Sequence, residues 1–206
     1  MEKGKAVFRI RISVYFAVMI ACILVLDTSG IAALALLCAA FHEAGHCAAL
    51  LMLRVPVDEV SFRAFGIDIR LRHNERISYP QEIAVALAGC AANLLLCGLT
   101  LPLCASARLR SRAEVFILMN LLLAAFNALP VAPLDGGRAL EAFLCQHFPL
   151  QTARRSVDVV SVALFVPLAY LGVMLLIRTG GNFSLLLAAA YLIVTVVLRG
   201  RLIDIR

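Results

Sequence analysis

Six long apolar runs, joined by shorter polar segments, account for most of the sequence. Their approximate limits are 8–26, 31–53, 83–103, 115–134, 157–177 and 183–198. A helix needs about 20 mostly apolar residues to cross a hydrocarbon layer roughly 30 Å thick. The pattern therefore predicts an all-α integral membrane protein with about six transmembrane helices.

The longest polar connection, 54–82, lies between the second and third apolar runs. Within it, residues 66–72 alternate apolar and charged side chains, which is typical of a half-buried strand. We expect a short membrane-associated β-loop between helices 2 and 3, at the inner membrane surface. No internal repeat or low-complexity tract divides the chain, so a single domain is expected over 1–206.

The composition excludes most other classes of protein. Apolar residues make up 63% of the chain, charged residues make up 16%, and the mean hydropathy is +0.95. A soluble domain would be roughly half apolar and about a quarter charged, so soluble globular folds and disordered chains are excluded. The continuous apolar runs and the absence of Trp argue against an outer-membrane barrel.

The distribution of basic residues predicts the orientation in the membrane. The formal net charge is +6, from 19 Lys and Arg against 13 Asp and Glu. With the N-terminus inside, fifteen of the 19 basic residues lie in inner segments, and basic loops stay cytoplasmic. Both termini are therefore predicted to be cytoplasmic. The basic residues are not interleaved with exposed aromatics, so the lipid bilayer, and no nucleic acid, is the expected partner.

The second apolar run contains His-Glu-Ala-Gly-His at residues 42–46. On a helix, His42 and His46 project one above the other, so both imidazoles can bind one metal ion. Glu43 lies beside them and can take a proton from a metal-bound water, then deliver it to a leaving amine. The composition predicts about 0.003 chance matches to this pattern. The alternative, two core histidines flanking a buried carboxylate, leaves the glutamate without a stated partner in lipid.

A catalytic zinc site needs a third protein ligand besides the two histidines. The fourth run ends in residues 127–138, where Pro130 and Pro133 precede Asp135 and two glycines. The prolines remove backbone donors, so we expect the helix to break here and expose polar backbone to a protein-lined cavity. Asp135 is the best candidate for the third ligand. The alternative is an ordinary helix end with a solvated Asp135.

The HEAGH helix, followed later by NALPVAPLDGG at 127–137, resembles the site-2 protease family of intramembrane zinc metalloproteases, peptidase family M50. The compact six-helix plan is most similar to its stage IV sporulation protein FB type. The resemblance implies that His42, His46 and Asp135 bind one Zn²⁺ per chain, with Glu43 as general base and acid. It also implies a set of cleft-shaping or substrate-binding residues: Asn127, Pro130, Pro133, Phe65 and Gly66.

The resemblance also implies a function and a location. The expected reaction is hydrolysis of a peptide bond within or next to a membrane segment of a substrate protein. The substrate would be a membrane-tethered regulator such as a sigma-factor precursor, and an inhibitory or regulatory membrane partner is possible. The expected location is a bacterial inner or forespore membrane. At the stretch around Phe65 and Gly66, an unwound substrate could add as an extra strand, or the stretch is a plain surface linker.

Two other functions stay open at this point. The first is a non-catalytic zinc-binding membrane protein that captures membrane proteins or a metal. Such a protein would lack at least one residue needed for catalysis. The two histidines, the glutamate and the aspartate of the motifs are all present. The second is a zinc hydrolase that acts on soluble peptides or lipidated tails at the membrane surface. Such a hydrolase would be expected to have a large soluble domain that forms a pocket, and the absence of one from the sequence argues against this function.

The sequence departs from the family's pattern in two ways. Neither a PDZ-like insert nor a C-terminal CBS domain is expected, which leaves nucleotide-coupled regulation open. In the third run, Ala88-Gly89-Cys90-Ala91-Ala92-Asn93 is similar to the family's AGPxAN element, with Cys90 where proline is usual. Gly89 and Asn93 fit contacts to the active-site helices, and a small-residue helix interface explains them equally well.

Overall fold

The computed structural model describes residues 9–55, 57–63, 66–71, 77–179, 190 and 193–194. By contact density the chain divides into two compact units, each treated by itself below. The first unit comprises residues 1–81 and 88–125, and the second comprises 82–87 and 126–206.

The first unit holds a small sheet and most of four helices. Its elements are β1 (Arg9–Ile12), α1 (Val14–Leu26), α2 (Ile31–Met52), β2 (Val57–Arg63), β3 (Gly66–Leu71), α3 (Tyr79–Thr100), a 3-10 turn (Leu101–Ala105) and α4 (Arg110–Asn127). The described residues of the second unit form two further helices. They are α5 (Asp135–Leu144) and α6 (Leu150–Thr179).

Three of the described helices are long and apolar enough to cross a membrane. They extend over Ile31–Met52, Tyr79–Ala105 and Leu150–Arg178. The protein is thus a largely helical chain with three candidate membrane spans. The first and fourth predicted runs form α1, which is shorter, and α4, which carries Arg110, Arg112 and Glu114 in its first turns. The sixth predicted span, 183–198, lies mostly outside the described residues, and the total of six stays a prediction.

The N-terminal boundary differs from the prediction. The first helix was expected from about residue 8, whereas the structure has a strand at Arg9–Ile12 and a helix from Val14. The reason lies in the sequence itself, because Arg9 and Arg11 alternate with Ile10 and Ile12 at the period of a strand. This strand pairs with β2, so the first residues belong to the sheet rather than to a transmembrane helix.

The sheet has three strands in the order β1-β2-β3. Strand β1 is parallel to β2, and β2 is antiparallel to β3 through a register that ends at Arg63 and Gly66. A strand therefore lies over Gly66–Leu71, within the stretch whose alternation indicated one. The association of this loop with the membrane stays a prediction. Phe65 lies outside the described residues.

Two capping arrangements fix where the first long helices begin. Before α2, the Asp27 carboxylate accepts hydrogen bonds from the backbone N–H groups of Ser29, Gly30 and Ala33. These bonds, the one from Ala33 foremost, lower the pKa of Asp27. Before α3, Ser78 forms a capping box with Gln81, and α3 consequently starts a few residues earlier than the apolar run.

In the second unit, the turn before α5 packs into an apolar core. Its buried members are Val131, Ala132, Leu134, Val157 and Phe165. At the other end of α5, the Arg154 guanidinium donates to Glu141 over 3.0 Å and ties α5 to α6. The short helix α5 was not predicted from the sequence, because its ten residues follow the proline turn and contain Gly136 and Gly137.

Candidate metal centre

The two histidines of the HEAGH motif lie on the buried face of α2. His42 is 4% exposed and His46 is 8% exposed. Their Nε2 atoms are 3.2 Å apart, with the rings nearly perpendicular. Imidazole nitrogens lie about 2.0–2.1 Å from zinc, so two of them on a tetrahedral ion are separated by roughly 3.3 Å. The observed spacing of the two nitrogens therefore fits a shared zinc ion.

Close approach of α2 to α3 depends on Gly45, in the middle of the motif. A Cβ at Gly45 would lie 2.6 Å from the Ala88 carbonyl oxygen and 2.7 Å from the Ala92 Cβ. Neither contact is possible without a shift of backbone or of a neighbouring helix. Gly45 is thus required for the packing of α2 against α3.

Gly89 of α3 faces the imidazoles directly. A Cβ at this position would lie 2.5 Å from His46 Nε2 and 2.7 Å from His42 Nε2. Because Gly89 has no side chain, the space next to the Nε2 atoms of both histidines is open. The sequence signal was the small-residue element around Gly89, and helix packing alone explained it as well. The structure associates this glycine with the histidine pair.

Asp135 is carried by the turn that ends the proline-containing segment. It is the first residue of α5, half-buried, with Leu134 at the N-cap. A carboxylate in the first turn of a helix is stabilised by the partial positive charge of the helix N-terminus. The backbone turns sharply here. A Cβ on Gly136 would collide with the carbonyl oxygens of Ala128 and Leu129.

The three predicted ligands are divided between the two units: His42 and His46 belong to the first, and Asp135 belongs to the second. Two imidazoles and one carboxylate are a donor set that catalytic zinc uses, with a fourth position left for water. The residues present therefore fit a zinc ion.

The other predicted site residues are placed as follows. Glu43 is half-buried on α2, next to His42. Asn127 is the last residue of α4 and Pro130 lies in the turn, both half-buried, whereas Pro133 is exposed. Gly66 is the first residue of β3. The cleft-shaping role of these residues stays a prediction, as does any role of Phe65.

Two buried polar side chains within the apolar runs, Asn120 and Ser161, were not singled out from the sequence. Asn120 of α4 is fully buried, and its amide donates to the Cys38 thiol at 3.1 Å and to the Phe116 carbonyl. Ser161 of α6 is fully buried and accepts a hydrogen bond from the Ala132 backbone N–H. The signal that could have found them is their polarity inside long apolar runs, where polar groups require partners.

Comparisons with known proteins agree on one family. Residues 103–170, which include the Asp135 turn, match the sequence model of peptidase family M50. The chain is 28% identical over 121 residues to the stage IV sporulation protein FB of Bacillus subtilis (strain 168). That match covers 58% of this chain and spans 42% of the length of the relative.

A solved structure supports the fold. The site-2 protease from Methanocaldococcus jannaschii superposes with a TM-score of 0.63 at 18% sequence identity. The superposition covers 93% of this chain and 90% of that one. The chain is thus similar to members of peptidase family M50, as the two motifs predicted, and it shares its fold with the solved site-2 protease.

Proposed function

We propose that this chain is a zinc metalloendopeptidase of peptidase family M50 that hydrolyses a peptide bond within or next to a membrane segment of another protein. The observation that carries the proposal is the pair of buried imidazoles on α2, with the Nε2 atoms of His42 and His46 3.2 Å apart. Both lie on a candidate membrane span, where ionisable groups are costly unless they serve a function.

The site residues divide the chemistry among them. His42, His46 and Asp135 would hold one zinc ion. When bound, zinc lowers the pKa of a coordinated water toward about 7 and polarises a substrate carbonyl. Glu43 takes the proton from the attacking water and hands it to the leaving amine, as expected from its place beside His42. Its half-buried position is compatible with water access.

The substrate segment has to unwind before it is cut, because a closed helix keeps its carbonyls hydrogen-bonded to its own backbone. We propose that Asn127, Pro130 and Pro133 shape the cleft that receives the unwound segment. In the described sheet, β1 and β3 flank β2, so the outer edge of β3, beginning at Gly66, is the edge we assign to an added substrate strand.

The biological setting follows from the resemblance. The named relative is a sporulation protein, so we propose a membrane-tethered regulator, such as a sigma-factor precursor, as substrate. A regulatory membrane partner and a bacterial inner or forespore membrane belong to the same proposal. Both termini are assigned to the cytoplasm on the distribution of basic residues.

The deciding experiment measures cleavage and zinc content on the same samples. Membrane-tethered cytosolic reporters are co-expressed with the native chain or with Glu43→Gln, and bound zinc is quantified in both purified proteins. We expect the native chain to cut and Glu43→Gln to retain zinc with activity reduced roughly 10²–10⁴-fold. Zinc in both proteins without cleavage of any reporter would favour a non-catalytic binding protein, and absence of zinc from both would remove the proposal.

A further inference from the structure

The Ser161 hydroxyl links α6 to the turn that precedes Asp135. It donates to the Val157 carbonyl oxygen at 2.7 Å and accepts from the Ala132 N–H at 3.0 Å. Ser161 and Val157 are fully buried, and Ala132 is 1% exposed. The hydroxyl donates one hydrogen bond and accepts one, so its orientation is fixed, and the burial of all three residues keeps water away from the bond to Ala132.

The turn at residues 130–134 has three backbone N–H donors, because two of its five residues are prolines. The N–H of Val131 donates to the Leu129 carbonyl, and that of Leu134 donates to the Val131 carbonyl, both at 2.7 Å. The third donor, Ala132, is the one that is satisfied from another helix. Ser161 thus supplies the tertiary hydrogen bond of this turn.

The held turn sets the start of α5. The Arg138 N–H donates to the Leu134 carbonyl, so the first helical bond of α5 is counted from the residue that follows the turn. A rotation of the backbone at Ala132 would therefore shift Leu134 and, with it, Asp135, the first helical residue. A zinc ligand has to be placed within a few tenths of an ångström of its productive position, so small shifts here affect metal binding.

We propose that Ser161 is a positioning residue that fixes the Asp135 carboxylate for zinc binding by holding the Ala132 N–H. The inference deepens the proposed function and rests on it. Ser161 touches neither substrate nor the reacting atoms. Partners one step removed from a metal ligand typically change metal affinity 10–100-fold when they are removed, and a bond acting through the backbone belongs at the lower end of that range.

The test compares Ser161→Ala, Ser161→Thr and a matched control, Thr100→Val. Thr100 is also nearly buried, and its hydroxyl donates to the carbonyl four residues earlier at 2.7 Å, as Ser161 does. Thr100→Val removes a hydrogen bond within a helix, as Ser161→Ala removes the bond from Ser161 to Val157 within α6. The control therefore accounts for the loss of that bond and leaves the bond from Ala132 as the difference. Zinc affinity is measured in detergent by competition with a chelator, the visible spectrum of the Co²⁺-substituted proteins is recorded, and thermal unfolding is followed on the metal-free proteins.

We expect Ser161→Ala to bind zinc about tenfold more weakly with an altered Co²⁺ spectrum. Ser161→Thr, which keeps the hydroxyl, should recover most of the affinity, and Thr100→Val should bind as the native chain does. Native affinity and spectrum in Ser161→Ala would overturn the proposal, as would equal losses in Ser161→Ala and Thr100→Val. If Ser161→Ala does not fold, Ser161→Cys, with its weaker acceptor, takes its place in the series.

A second readout needs no metal. Amide hydrogen exchange of the metal-free protein should show faster exchange at Ala132 in Ser161→Ala than in the native chain, with Thr100→Val unchanged. Unchanged exchange at Ala132 overturns the proposal whatever the metal data show. If the native chain itself binds no zinc, the proposed function fails, and the exchange measurement alone then decides whether Ser161 holds the turn.

Discussion

His42 and His46 stand on a regular helix, four residues apart, whereas Asp135 stands at the end of an irregular turn. The spacing of the histidines follows from helix geometry, and two glycines, Gly45 and Gly89, remove what would obstruct them. The turn before the aspartate contains prolines, is followed by a glycine pair, and donates a hydrogen bond from the Ala132 N–H to the Ser161 hydroxyl. The two histidines are therefore placed by one regular helix, whereas the aspartate is placed by an irregular turn and its contacts.

The largest effect expected is the removal of a ligand from either region. His42→Ala and Asp135→Ala should each weaken zinc binding by more than roughly 100-fold, because changes outside the ligands alone cost 10–100-fold. His147→Ala, which removes an exposed histidine, is the control and should bind zinc normally. Competition with a chelator measures all three. Native affinity in Asp135→Ala would show that the turn does not contribute a ligand.

The histidine pair on α2 can be disturbed without substitution of either histidine. Gly89→Ala should lower zinc affinity about tenfold or more with little change in the melting temperature, because the nearest atoms are the ends of two imidazoles that can rotate away. Gly98→Ala is the matched control on the same helix, since a Cβ there meets nothing within 4 Å. Equal zinc affinity in the two variants would contradict the role given to Gly89.

The turn around Asp135 should respond differently to the substitution of a glycine by alanine. Gly136→Ala places a Cβ against the backbone carbonyls of Ala128 and Leu129, which cannot rotate aside. We expect a loss of about 1–3 kcal/mol in the free energy of unfolding, as in other overpacked sites. Denaturation in detergent, with Gly98→Ala again as control, measures it. A Gly136→Ala protein as stable as the control would mean that the turn is adaptable.

The smallest effect is expected at Asp27. Like Asp135 at the start of α5, it is an aspartate at the start of a helix, in this case α2. Its pKa is lowered from 3.8 by the backbone N–H of Ala33 and by the Ser29 hydroxyl. The stabilisation is therefore fully present above pH about 3.8 and is lost as the pH falls through the lower pKa of the folded state. The difference in melting temperature between the native chain and Asp27→Asn should be constant near neutral pH and shrink below that value. A difference that persists unchanged at pH 3 would contradict the capping role.

Sequence reasoning succeeded where structure repeats at a fixed period. The histidine pair, the position of α2 and the helix break after Asn127 follow from helical spacing and from proline. It failed at β1, which has four residues, and at α5, which has ten. Elements this short do not produce a periodic pattern that stands out from the neighbouring sequence. The contacts of Gly89 and Ser161 could not be predicted, since they join residues distant in the sequence.

The pairing of β1 with β2 constrains how the chain lies in the bilayer. Two hydrogen-bonded strands occupy the same side of any membrane, so the chain between them crosses it an even number of times. If α2 makes one crossing, α1 has to make the other, although its 13 residues extend only about 20 Å. A hydrocarbon layer roughly 30 Å thick must then become thinner around α1. Lipids beside this helix would be compressed, so the first helix is the place where acyl chain length should matter most.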